Sequence, residues 1–100
     1  MEHGVIYSIT NLENDKVLIG STMDFKGFEK SFNYAQKNNS PKTLSPKLQK
    51  DWKKYGAESF ELAVLEEIEQ EDEQPLNEFE EELNELKEEW LERFDEEELY

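Results

Sequence analysis

The chain has 100 residues, no cysteine and a net charge of −15, which leaves room for one modest core and excludes disulfides, thiolate zinc sites and cysteine nucleophiles. Aromatic residues make up 12% of it, too many for a disordered acidic segment, so a folded domain is expected. The charge is polarised: residues 1–57 hold nine Lys against six acids, and residues 58–100 hold two cations against twenty acids.

In chain order, "VIYSI" and "KVLIG" are rich in β-branched and aromatic residues and flank the polar "TNLENDK". They predict a hairpin with strands over about 5–10 and 16–20. Phe25, Phe28, Phe32 and Ala35 then recur at helical spacing, with Asp24 as N-cap and "KNNSPK" as the stop, predicting a helix over about 25–38. In "SPKLQKDWKKYG", Ser45 caps, Pro46 opens, Leu48 and Trp52 lie four apart, and Gly56 closes a short basic helix. Lys42, Lys47, Lys50, Lys53 and Lys54 cluster there and predict a local basic face. "SFELAVLEEI" predicts a third strand over about 60–67, with Phe60, Leu62, Val64 and, further on, Leu65 and Ile68 on the buried side. Leu76, Phe79, Leu83, Leu86, Trp90 and Phe94 form one apolar stripe, predicting an amphipathic helix over about 76–94 with glutamates on its open face. The domain is expected to span 1–94, and "DEEELY" at 95–100 to fray.

The remaining features are weak signals. There is no basic stretch followed by an apolar leader, and no apolar run near the ~18 residues that span a bilayer, so a cytoplasmic location without membrane contact is expected. His3 has no partner at metal-ligand spacing, and the acids from Glu66 to Glu73 lack the spacing and glycine of a calcium loop.

The order strand, strand, helix, helix, strand, helix is an α/β (α+β) arrangement: a small three-stranded antiparallel sheet flanked by helices. With the motifs it carries, the sequence resembles the GIY-YIG nuclease domain. "GVIYSITN" is similar to that family's G-I-Y strand with one residue inserted before Tyr7, and "KVLIGST" to its Y-I-G strand with Leu18 in place of the tyrosine. The likeness runs on through "MDFKGFEKSF", "SPKLQKDWKKYGAESFELAVLEEI" and "NELKEEWLERF", and so covers nearly the whole chain.

The resemblance implies metal-dependent hydrolysis of a DNA phosphodiester, which needs a phenol or base near the water, a cation on the phosphate and a carboxylate on the metal. Tyr7 matches the family's first tyrosine, and Leu18 stands at the second. The family's arginine falls at Phe28 and its His or Tyr at Phe32. Its metal-binding glutamate, three residues before the core aromatic of the last helix, falls at Lys87 when Trp90 is that aromatic. An ammonium cannot ligate Mg²⁺; a shift of register would bring Glu85 or Glu88 there instead.

Together these departures lead to an expectation of a catalytically inactive GIY-YIG scaffold, not an enzyme, with no metal and no cofactor. Its acidic last helix, through Glu78, Glu81, Glu82, Glu85, Glu88, Glu89 and Glu92, is expected to mimic DNA phosphates and inhibit a basic nucleic-acid-binding protein or nuclease. Such a protein suits a phage or mobile element acting against a defence enzyme. The same field opposes direct binding of nucleic acid. Phe25, Phe28 and Phe32 are expected to enlarge the core or to turn the cleft into a partly apolar surface, with Phe28 and Phe32 as the interaction residues. Two alternatives stay open: an active endonuclease autoinhibited by its acidic tail, and an oligomeric interaction module in which Phe28 and Phe32 make the contact.

Overall fold

Alternate residues of "HGVIYSITN" point to opposite sides of a strand, and here both sides are covered. The computed structural model describes residues 1–100, and this segment is its central strand, β1 (His3–Asn11). β2 (Val17–Thr22) pairs with it antiparallel on one side and β3 (Phe60–Glu69) on the other, in the order β2-β1-β3. Val5, Tyr7 and Ile9 face α1 (Phe25–Asn38) and α2 (Pro46–Tyr55), where they join Phe32, Ala35, Leu48, Trp52 and Phe60 in the larger core. Ile6 and Ile19 face the other way, against α3 (Leu76–Leu91), and with Leu83 form the smaller core. The sheet is thus a layer between two helices and one.

The helix signals read from the sequence are realised as caps. Asp24 accepts from the Gly27 amide at 3.1 Å, and Ser45 from the Leu48 amide at 3.4 Å. Pro46 takes the first position of α2, and Gly56, at φ 92°, closes it. α3 runs 76–91 and not to 94; Phe94 lies beyond its end yet still packs on the smaller core. Leu76, expected on the apolar stripe, is 47% exposed, because it opens the helix before the stripe meets the sheet. No helix is long and apolar enough to cross a membrane.

Two features depart further from expectation. β3 slips register against β1 between Ile6 and Tyr7, so Val64 pairs with Tyr7 while Glu66 pairs with Ile6. This bulge at Leu65 turns the strand over: Phe60 and Leu62 join the larger core, Leu65 and Ile68 the smaller one. The five apolar positions expected on a single buried side are therefore split, and Val64 is exposed at the open edge. The tail, expected to fray, is docked. Glu96–Glu98 forms a short 3-10 turn capped by Asp95, and Leu99 makes a parallel bridge with Val17. The Tyr100 amide donates to the Val17 carbonyl at 3.0 Å, its hydroxyl donates to Asp51 Oδ2 at 2.7 Å, and Asn11 Nδ2 donates to that hydroxyl at 3.0 Å. These bonds tie the hairpin, α2 and the tail together.

Candidate functional site

The two motif glycines are explained by close approach, on opposite faces. A side chain at Gly4 would meet Leu83 Cδ1 at 2.8 Å and Phe79 Cζ at 3.2 Å, so α3 lies directly on the backbone of β1 there. A Cβ at Gly20 would run into the ring and hydroxyl of Tyr7, its partner across the β1–β2 ladder. Gly20 therefore lets the Tyr7 ring lie flat across β2.

That ring sets the character of the site. Tyr7 and Phe28 lie with centroids 4.3 Å apart at an interplanar angle of 31°. With Leu18 they border a cavity of about 130 Å³, completed by Ile9, Leu44, Leu48, Thr43 and Ser45. Three positions far apart in sequence, Tyr7, Leu18 and Phe28, are thus brought together from β1, β2 and α1. The walls are apolar except for three hydroxyls, and no carboxylate, imidazole or cation reaches them. Burial pushes the Tyr7 phenol above its ordinary pKa, since a phenolate there would lose hydration with nothing to replace it.

Phe32 is not part of this surface. It is 2% exposed and meets Trp52 edge-on at 6.1 Å, in the core beneath α1 and α2. The expectation that Phe28 and Phe32 together form an interaction face is corrected accordingly: four residues apart, they share the inward side of α1, where Phe32 is buried and Phe28 packs at the margin of the same core. Phe28 alone stays half-buried.

α3 is a separate surface. Leu83, Leu86, Trp90 and Leu91 pack on the smaller core, and the Trp90 indole donates to Glu66 Oε1 at 2.9 Å, which fixes the helix register. Lys87 is half-buried, while Glu85 and Glu88 are exposed, and none of the three lines the Tyr7 cavity. Glu78, Glu81, Glu82, Glu85, Glu88, Glu89 and Glu92 are all exposed. None of them has a lysine or arginine within 4.0 Å. The basic cluster divides: Lys47, Lys50, Lys53 and Lys54 stand exposed on α2, whereas Lys42 lies in the loop before it.

Sequence reasoning did not find Asn11, Asp51, Glu66 or Tyr100, each of which places a polar group within the fold. Only the tyrosine at the end of an acid run offered a signal, as an aromatic where fraying was expected.

The GIY-YIG catalytic domain model matches residues 3–93. Among solved structures, the catalytic domain of the intron endonuclease I-TevI, in a mutant form, superposes with a TM-score of 0.51 at 33% identity over 84% of this chain and 86% of that one. No significant match is found among curated protein sequences. With the β-β-α-α-β-α order, the glycine contacts and a match over almost its full length, the chain belongs to the GIY-YIG nuclease-domain family.

Proposed function

We propose that this chain is a GIY-YIG scaffold that has lost catalysis and serves as an acidic binding protein for a basic, nucleic-acid-binding partner. The observation that carries the reading is the Tyr7–Phe28 stack, in which an apolar ring covers the phenol inside an apolar cavity. A phosphate oxygen brought there would meet no cation, and its desolvation would go uncompensated. The donor set does not fit the divalent cation of the family's chemistry either. No His, Asp or Glu lines the cavity, and no three His, Cys, Asp or Glu side chains are grouped to hold a metal.

The acidic face supports the second half of the reading. Eight exposed glutamates lie between Glu78 and Glu92, which at 1.5 Å rise per residue is about 2.6 Å of axis per charge. Duplex DNA carries one charge per ~1.7 Å of axis, and each of its strands one per ~3.4 Å. A groove built for a phosphate backbone would therefore meet a comparable charge density on α3. Left without intramolecular cations, these carboxylates repel one another and gain most from a partner that supplies them.

The test has two arms. Supercoiled plasmid with Mg²⁺ or Mn²⁺ should stay intact; metal-dependent nicking that disappears in Tyr7→Phe would overturn the loss of catalysis and favour the active-enzyme alternative. A DNA-binding protein captured by this chain should be released by added duplex DNA and by salt, and capture should fail when Glu81, Glu85, Glu88 and Glu92 are changed to Gln. Undiminished capture by that variant would remove the mimicry and leave the scaffold reading standing.

A further inference from the structure

We propose that a hollow between α1 and the loop that follows it binds a phosphate monoester of the nucleoside monophosphate class. The hollow has a volume of about 470 Å³ and is lined by Lys30, Ser31 and Tyr34 of α1 and by Ser40, Lys42 and Thr43 of the loop. All six side chains carry hydrogen-bond donors and none is a carboxylate. In a chain with 26 acids against 11 cations, a surface hollow lined by two lysines and four hydroxyls without one acid is a place where an anion meets donors and no carboxylate.

The donors are also unengaged. Neither lysine has a carboxylate within 4.0 Å, and the side-chain hydrogen bond that reaches this group runs to the Tyr34 backbone carbonyl, not to any of the six side chains. A phosphate dianion accepts several such bonds at once, each of them charge-assisted. Lys42, which the sequence groups with the α2 lysines, instead faces this hollow with Lys30 of α1.

Two observations set the ligand's size and kind. The volume suits a small molecule, and Tyr34, 66% exposed at the rim, offers an aromatic face to a base. A polymer would carry its other phosphates into the field of a chain of net charge −15, whereas a single dianion feels chiefly its neighbours. The glutamates of α3 lie beyond the sheet, about 20 Å away if each layer spacing is ~10 Å, well past the Debye length of ~8 Å at physiological salt.

α3 takes no part in this site, so its test stands apart from that of the acidic face. Two-dimensional amide NMR of the full chain, titrated with inorganic phosphate and separately with AMP, should give saturable shifts at Ser31, Ser40 and Thr43 with both. AMP should bind about tenfold more tightly through stacking, and Tyr34→Ala should abolish that advantage while leaving inorganic phosphate unaffected. The double substitution Lys30→Ala with Lys42→Ala should weaken both ligands by about tenfold or more, for the loss of charged hydrogen bonds. Both lysines are exposed, and a thermal melt confirms that the variant folds. No saturable shift with either ligand, or equal affinity in the double variant, overturns the proposal. Binding of a single-stranded oligonucleotide at these residues without binding of phosphate or AMP overturns it as well.

Discussion

The two faces of the sheet use the same strand for different ends. The α1–α2 face is built from large rings: Trp52 stacks on Phe60 at 5.1 Å, Phe32 meets Trp52 edge-on, and Tyr7 lies on Phe28. The α3 face has a narrower core of Ile6, Ile19 and Leu83 under a helix whose outer side is almost wholly glutamate. The first face is closed by aromatic packing from β1 outward, with Phe28 at its margin over Tyr7. The second keeps only enough apolar contact to hold a charged surface in place. Aromatic packing and exposed acidic charge thus lie on opposite sides of one layer.

The largest effect that probes this division is expected from Trp52→Ala, which should lower the unfolding free energy by about 4 kcal/mol in urea titration, with a cavity left under both helices. Leu86→Ala, at the half-buried margin of the other face, should cost about 2 kcal/mol; the reverse ranking would break the comparison. Phe28→Ala should cost about 2 kcal/mol and, by opening the cavity to water, return the Tyr7 phenol toward its ordinary pKa, read by absorbance titration of the phenolate.

Smaller effects are expected where polar groups join the faces. The Tyr100 phenol is pushed up to about 12, first by burial and then by Asp51, with Asn11 pulling the other way. The neutral phenol is the form the fold favours. Its contribution is therefore complete below the unfolded value of 10.0 and is lost as pH rises through about 12. Tyr100→Phe should cost about 1 kcal/mol at neutral pH and remove this part of the alkaline loss, as followed by thermal melts across that range. The smallest effect should have the opposite sign. Glu88→Gln and Glu89→Gln, near the negative end of the α3 dipole, should each stabilise by about 0.3 kcal/mol at low salt, the gain vanishing in high salt.

Much of this architecture was legible in the sequence because its signals are local. Asp24, Ser45, Pro46 and Gly56 mark helix ends through bonds and torsions within a few residues, and each is used in that way. The α3 stripe was legible because periodicity reports a buried face directly. The split of β3 was not: a bulge arises from pairing with β1, and "LAVLEEI" reads equally well as one alternating strand. The docking of 95–100 was not legible either, since its partners, Asn11, Val17 and Asp51, lie more than 40 residues away in sequence.

The candidate site divides in the same manner. The identities at Leu18, Phe28 and Lys87 follow from the sequence aligned on its glycines and on Trp90, and so does the row of glutamates, since residue type and spacing are local properties of the chain. Only the tertiary structure decided that Phe28 covers Tyr7 while Phe32, four residues on, is buried against Trp52, because those partners come from β1 and α2. It alone placed Lys42 with Lys30 rather than with the α2 lysines. Residue type and local spacing fix what each group can do; burial and the company of groups distant in sequence fix whether it does so.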